Sequence, residues 1–194
     1  MREDGVATFH ATDVKAWRAW LQANSETTKS LWLIIYHKDS GINSVYYDEA
    51  VDEALCFGWV DSKPNKRDQE SYFQFFSKRN PKSNWSRVNK EKVARLQAEH
   101  RMAAPGLEMV RIAQENGTWD ALNDVENLVL PPDLEAALRT HPPAPKNFEA
   151  FPRSVKRGIL EWVFNAKRPE TRAKRILETA TLAARNERAN QYRK

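Results

Sequence analysis

Residues 46–95 read YYDEAVDEALCFGWVDSKPNKRDQESYFQFFSKRNPKSNWSRVNKEKVAR, and this stretch predicts the order of the central elements of the fold. Apolar side chains recur on one helical face over residues 48–55, and Gly58 ends that helix. Two strand-like runs follow, at residues 59–63 and 71–79, and a polar segment separates them. This pattern predicts a β-hairpin.

The segments on either side of the hairpin also carry clear signals. Ser86 is a good N-cap for a helix that reaches about Arg101, and Thr12 is the predicted N-cap of an earlier helix. Residues 31–38 are nearly continuous in hydrophobicity, which predicts a central strand buried on both faces. We therefore expect an α+β fold in which a small, mostly antiparallel sheet packs against helices.

The rest of the chain is predicted to be mainly helical. Pro105 and Gly117 suit the start and the end of one helix, and the proline-rich residues 141–145 predict a stiff, extended connector. The expected organisation is an α+β core domain, residues 1–125, followed by a helical C-terminal segment, residues 126–194. This segment is expected to pack on the core; alternatively, the two form one compact unit.

The composition excludes several classes of protein. The chain has 194 residues, of which 41% are hydrophobic, and a formal net charge of +5, which supports only nonspecific attraction to anions. The single cysteine, Cys56, excludes an intrachain disulfide, and its neighbours Leu55 and Phe57 predict a buried, unreactive thiol. Residues 1–5 do not resemble a signal peptide, and the apolar runs are too short to cross a bilayer, so we expect a cytoplasmic protein.

The sequence has no motif for a metal, a phosphate group or a catalytic nucleophile. The four histidines lack a ligand spacing, the six glycines are scattered singly, and neither Gly-x-Ser-x-Gly nor His-Glu-x-x-His occurs. We predict no metal site and no cofactor. Whether the protein is an enzyme stays open at this point.

Three stretches of the chain resemble a known bacterial family. They are ALCFGWVD at residues 54–61, SKRNPKSNWS at residues 77–86 with Asn89, and AKRPETRAKRI at residues 166–176. These motifs are similar to those of the YdeI/OmpD-associated family, and the resemblance runs from about Leu31 to about Arg185. It implies a role in envelope-stress or bacteriocin tolerance, and it implies no reaction or ligand.

A polar pocket is predicted where the hairpin meets the following helix. Asp61 and Arg79 should lie at the same end of the hairpin, close to unsatisfied amides at the helix start, and together these groups favour an anion. The candidate binding residues are Asp61, Arg79, Ser83, Trp85, Ser86 and Asn89. Alternatively, Asp61 forms a salt bridge with Arg79 and fills the pocket. The first hypothesis is a non-enzymatic binding protein with this pocket as its site; the alternative is an enzyme that acts on a small anionic substrate there.

The same stretch also has features of a weak nucleic-acid-binding surface. Residues 59–95 contain ten Lys or Arg and four Asp or Glu, interleaved with Trp59, Tyr72, Phe73, Phe75, Phe76 and Trp85. Basic charge beside aromatic rings is typical of proteins that bind single-stranded nucleic acid. Because these rings are also natural core residues, we expect at most weak, salt-sensitive binding.

A cluster of cations near the C-terminus is expected to stabilise the last two helices. The cations are Arg168, Arg172, Lys174 and Arg175. Glu161 and Glu170 lie nearby in the sequence, so an ion-pair network is the predicted role of the cluster.

Overall fold

The computed structural model describes residues 5–190. Four of the five residues considered for a signal peptide, residues 1–4, lie outside the described part. The chain divides into two compact units, Met1–Asp120 and Ala121–Lys194. The packing of the helical segment on the core stays a prediction.

The first unit contains a four-stranded mixed sheet with helices, which confirms the α+β class. Its elements are β1 Thr8–His10, α1 Val14–Asn24, β2 Ser30–Tyr36, a 3₁₀ turn Lys38–Ser40, α2 Tyr47–Cys56, β3 Trp59–Lys66, β4 Ser71–Lys78, α3 Arg87–Ala98 and α4 Ala104–Glu115. The strand order is β1-β2-β4-β3. Strand β1 pairs with β2 in parallel and the other pairs are antiparallel.

The predicted hairpin is confirmed as β3 and β4. Trp59 pairs with Lys78 and Asp61 pairs with Phe76, and a register shift follows between Asp61 and Pro64. Pro64 is tolerated because β3 is an edge strand, where a missing N–H breaks no ladder hydrogen bond on the open side. The hairpin therefore places the end of β4 beside the start of β3.

The predicted helix starts differ in accuracy. Ser86 caps α3, and its Oγ accepts a hydrogen bond from the Asn89 amide at 3.3 Å. The predicted cap Thr12 is wrong by one residue, because Asp13 accepts the hydrogen bond from the Ala16 amide at 2.7 Å. Both residue types are good caps, and local sequence alone does not choose between two neighbours of this kind.

The core of the first unit lies between the sheet and its helices. Leu31, Leu33 and Ile35 of β2 belong to this core, whereas Trp32 points to the other face, where its ring packs 4.8 Å from that of Phe75. Both faces of β2 thus carry buried side chains, as the continuous apolar run predicts.

Cys56 is buried in this core, as its neighbours predict. Burial raises the pKa of its thiol, since the charged thiolate is disfavoured away from water. The low reactivity of the thiol stays a prediction.

The second unit is helical in its described part. It consists of α5 Asn123–Glu126, α6 Pro132–Arg139, α7 Ala144–Ala150, α8 Arg153–Phe164 and α9 Pro169–Ala184. The extended connector predicted for residues 141–145 is wrong. The Ala144 amide donates to the His141 carbonyl, which makes a tight turn, and α7 begins there. Prolines at the first positions of a helix are compatible with this start.

The C-terminal cations stabilise this unit through mixed contacts. Arg172 donates two hydrogen bonds, of 2.6 and 2.9 Å, to Asp133 and so links α9 to α6. Arg175 lies over the ring of Trp162 and donates to its carbonyl, which links α9 to α8. Glu161 pairs with Arg157 instead. Two of the four cations thus link helices of this unit, and within residues 5–190 Arg172 is the one that does so through an ion pair.

Among residues 5–190, no helix has both the length and the apolar character that a membrane crossing requires.

Candidate ligand-binding site

Arg79 follows the last residue of β4, where the sheet ends. Its backbone amide donates to the Gly58 carbonyl at 2.9 Å, which ties it to the start of β3. The following residues, Asn80 and Pro81, lie outside the sheet, because proline cannot extend the ladder of hydrogen bonds. This position turns the Arg79 side chain into the protein, where it is only 6% exposed.

The guanidinium of Arg79 has few partners for a buried charge. It lies 3.6 Å above the centre of the Trp85 ring, and Nη2 donates to the Asn84 carbonyl at 2.6 Å. Nε is buried and has no hydrogen-bond partner. Within the described residues, no carboxylate pairs with Arg79. Burial lowers the pKa of Arg79 to about 10, so the side chain remains a cation at neutral pH.

A cavity of about 570 Å³ lies beside Arg79, and we call it the Arg79 cavity. Four parts of the first unit form it: the end of α1, the junction between α2 and β3, the end of β4 and the start of α4. Its lining residues are Ser25, Glu26, Phe57, Gly58, Lys78, Arg79, Pro81, Ala104, Pro105, Glu108 and Met109.

Two glycines allow α4 to form the wall of this cavity. Gly58 has a φ of 71°, and a Cβ at this position would lie 2.8 Å from Met109 and 2.9 Å from the Pro105 carbonyl oxygen. A Cβ on Gly106 would lie 2.2 Å from the Cys56 carbonyl oxygen. Both positions therefore require glycine, since backbone atoms approach too closely for any side chain.

Of the other charged lining residues, Lys78 and Glu108 have hydrogen-bond partners, and Glu26 is exposed. Lys78 donates from Nζ to the backbone carbonyl of Glu26 at 2.5 Å. Glu108 forms an ion pair with Arg111 at 2.7 Å. Arg79 is thus the lining residue whose charge is both buried and without a counter-ion.

Asp61 does not compete for Arg79 in this structure. Its Oδ2 accepts a hydrogen bond from the Tyr47 hydroxyl at 2.8 Å and a longer one from Gln74 at 3.4 Å. Burial and then this bond to Asp61 raise the pKa of Tyr47 to about 12, because both favour the neutral phenol. The salt bridge considered for Asp61 and Arg79 is therefore not formed, although both residues lie near the same end of the hairpin.

The remaining candidate residues serve local structure. Ser83 donates to the Asn80 carbonyl at 2.7 Å, and Ser86 and Asn89 form the cap of α3. Trp85 is 2% exposed and supports Arg79 from one side. Of the six candidates, only Arg79 lines the cavity, and Trp85 is the candidate that contacts its guanidinium.

Sequence reasoning missed most of the cavity wall. Phe57 and Gly58 belong to a stretch that the resemblance highlighted, but Glu26, Pro105 and Met109 come from distant parts of the chain. A proline followed by a glycine at the start of a predicted helix is the one local signal that indicates close packing there.

The aromatic and basic residues of the hairpin do not form one open surface. Trp59, Phe76 and Trp85 are buried, which removes three of the six rings from contact with a nucleic acid. Lys92 and Arg95 both pair with Asp52. These facts are consistent with at most weak binding, which stays a prediction. Among the described residues, no group of His, Cys, Asp and Glu could hold a metal ion.

Comparison with known families finds two matches along the chain. Residues 9–109 match the model of a domain of unknown function, DUF8412. Residues 127–186 match the model described as bacteriocin-protection, YdeI or OmpD-associated. The second match lies within the helical unit, whereas the hairpin motifs fall within the first. In comparisons with curated proteins and with solved structures, nothing matches this chain.

Proposed function

This chain belongs to the domain family DUF8412 and carries a segment of the YdeI/OmpD-associated family, and we propose that it is a non-enzymatic protein that binds a small anionic ligand in the Arg79 cavity. We further propose that this binding contributes to bacteriocin or envelope-stress tolerance. The second family is named for bacteriocin protection, which supports the biological part, and the residues around Arg79 support the chemical part.

The observation that carries the proposal is a buried arginine without a counter-ion beside an open cavity. Burial of an unpaired charge is unfavourable, and proteins usually compensate it with an opposite charge. A bound anion would supply that charge. Groups with a perturbed pKa in a cleft are frequent at functional sites, and the lowered pKa of Arg79 fits this rule.

The lining of the cavity favours binding over catalysis. A general acid or base works best when its pKa lies near the working pH. Arg79 remains protonated at neutral pH, and Glu108 is held by Arg111. These residues are suited to hold and neutralise an anion rather than to exchange protons with it.

Titration calorimetry at low salt tests the binding. Wild type, Arg79→Met and Asp61→Asn are titrated with a panel of carboxylates, phosphate and sulfate. Arg139→Met serves as the matched control, because it removes the same charge from an arginine whose side chain is 72% exposed. We expect binding to wild type, Asp61→Asn and Arg139→Met, and its loss in Arg79→Met. The proposal fails if wild type binds no member of the panel, or if Arg79→Met binds as well as wild type.

The biological part needs a separate experiment. A strain that lacks the protein is complemented with wild type, Arg79→Met or Arg139→Met, and its survival under bacteriocin or envelope stress is measured. We expect wild type and Arg139→Met to restore tolerance and Arg79→Met to fail at equal protein levels. Fractionation of the same strains checks the expected cytoplasmic location. Equal survival with all three proteins would show that tolerance does not depend on the Arg79 cavity.

A further inference from the structure

We infer that the ligand of the Arg79 cavity is an amphipathic monocarboxylate, with one carboxylate against Arg79 and an apolar body against Phe57, Pro105 and Met109. This inference rests on the proposed function and specifies the class of ligand. Three features of the cavity support it: the donors left on Arg79, the apolar walls, and the acidic residues in the lining.

The donors of Arg79 suit a single small anionic group. Nη2 already donates to the Asn84 carbonyl, and the Trp85 ring covers one face of the guanidinium. Nη1 has no hydrogen bond in the described part of the chain and, unlike Nε, is not sealed from solvent. A carboxylate needs only one or two such donors, whereas phosphate and sulfate sites in proteins usually combine several.

The start of α4 adds little capacity for an anion. Pro105, at the second position of this helix, has no backbone N–H to donate. The amides of Gly106 and Leu107 both donate to the Ala103 carbonyl. The first turn of α4 therefore presents mainly apolar surface to the cavity, in contrast to a phosphate-binding helix start.

The size and the walls of the cavity require an apolar body. A volume of about 570 Å³ lies within the range of small-molecule sites and greatly exceeds a bare phosphate or acetate ion. Phe57, Pro81, Ala104, Pro105 and Met109 line it with hydrocarbon surface and a thioether. Burial of a ligand chain of several methylenes against these walls would supply most of the affinity.

The acidic lining residues disfavour a second negative charge. Glu26 and Glu108 both line the cavity, and the nearby ammonium of Lys78 is engaged with the Glu26 carbonyl. A dicarboxylate of the same length would place its far end in apolar surroundings or near these acids, where desolvation and repulsion oppose it. One negative charge per ligand is therefore the expected number.

Four probes of known composition test this inference by calorimetry with the full-length wild-type protein. Octanoate has the inferred chemistry. Acetate lacks the apolar body, octan-1-ol lacks the charge, and octanedioate adds a second carboxylate at the same chain length. We expect octanoate to bind at least about tenfold more tightly than each of the other three.

The outcomes separate the inference from the proposed function. If acetate or phosphate binds as tightly as octanoate, the protein binds small anions but the inferred class is wrong. Binding of octanedioate as tight as that of octanoate has the same meaning. If octan-1-ol matches octanoate, both the inference and the proposed function fail. If no probe binds, the inference fails, and the proposed function fails with it when phosphate, sulfate and the other carboxylates of the panel do not bind either.

Two variants refine the result. Arg79→Met should lower the affinity for octanoate at least about tenfold and leave the affinity for octan-1-ol unchanged, because only the carboxylate of octanoate loses its partner. Glu108→Gln is a mild change at a half-exposed position. It should reduce the difference in affinity between octanoate and octanedioate, because it removes one negative charge from the lining. A gap that stays the same in Glu108→Gln would contradict the role given to this acid.

Discussion

The described part of the first unit contains buried charges with counter-ions and a buried charge without one. Glu53 is 2% exposed and receives hydrogen bonds from Arg18 at 2.6 Å and from Arg101 at 2.5 Å. Its neighbour Asp52 is held by Lys92 at 2.7 Å and by Arg95 at 2.5 Å. Arg79 is buried to a similar degree but has no carboxylate partner among the described residues.

This difference separates structural charges from a candidate functional one. Burial alone would raise the pKa of Asp52, but hydrogen bonds from Lys92 and Arg95 hold it below its usual value. Arg79 receives no such compensation, and burial lowers its pKa. The paired carboxylates stabilise the fold. Arg79 lacks a counter-ion within residues 5–190, and an anionic ligand could supply one.

The largest expected effect comes from removal of the cations around Glu53. The double variant Arg18→Met/Arg101→Met leaves this buried carboxylate unpaired and should lower the free energy of unfolding by about 3–5 kcal/mol. Urea unfolding followed by tryptophan fluorescence measures it. Arg139→Met, which breaks an exposed pair with Glu135, should change stability by less than about 0.5 kcal/mol. A loss below about 1 kcal/mol in the double variant would show that Glu53 does not depend on its cations.

A smaller effect is expected at the glycine that joins the two regions. Gly106 packs against the carbonyl of Cys56, close in sequence to Glu53, while its helix forms the cavity wall. Gly106→Ala should lower stability by about 1–3 kcal/mol, because the new methyl meets backbone and not a flexible side chain. Gly158→Ala is the control: with no atom near its Cβ, it should raise stability by up to about 1 kcal/mol. Equal effects at both glycines would rule out the close contact.

Arg79→Met should give a result of the opposite sign to the double variant. It removes a buried cation that lacks a counter-ion and keeps much of the apolar volume, so the free energy of unfolding at neutral pH should stay unchanged or rise by up to about 1 kcal/mol. The same urea unfolding measures it in ligand-free protein. A clear loss of stability would assign Arg79 to the structure rather than to a site.

The pH dependence sharpens this test. Arg79 has a pKa of about 10 in the folded chain, below the ordinary value of an arginine, so the folded chain releases this proton first. The destabilisation caused by its charge is complete below pH 10 and is relieved as the pH rises above that value. The stability of wild type relative to Arg79→Met should therefore increase between about pH 9 and pH 11. A constant difference would contradict the unpaired charge.

The smallest effect is expected at Asp61. Asp61→Asn should lower the pKa of Tyr47 from about 12 part of the way toward its ordinary value of 10, because burial still acts on the phenol. Stability should fall by less than about 1 kcal/mol. The raised pKa of Tyr47 contributes stability below pH 10 that is lost as the pH rises toward 12, and this pH dependence should weaken in the variant. Tyrosinate absorbance measures the titration; an unchanged titration curve would exclude the contact with Asp61.

Local sequence determined the elements of this protein to a large extent. The hairpin, the cap of α3 by Ser86 and the burial of Cys56 all depend on residues close together in the chain, and all three agree with the structure. The short strand Thr8–His10 escaped prediction, because it is stabilised by parallel pairing with β2 and carries no strong periodicity of its own.

Only the tertiary structure decided the partners of the charges and the shape of the cavity. The sequence predicted that Arg79 and Trp85 lie in the same pocket, because they are only six positions apart and one short loop separates them. Whether Asp61 pairs with Arg79 or with Tyr47 depends on the distances between elements, and the structure selects Tyr47. Part of the cavity wall comes from residues 25–26, and another part from residues 104–105 and 108–109, and these segments meet only after the helices pack. Sequence patterns set the conformation of each segment, whereas ion pairs and cavities require distances between segments that only packing defines.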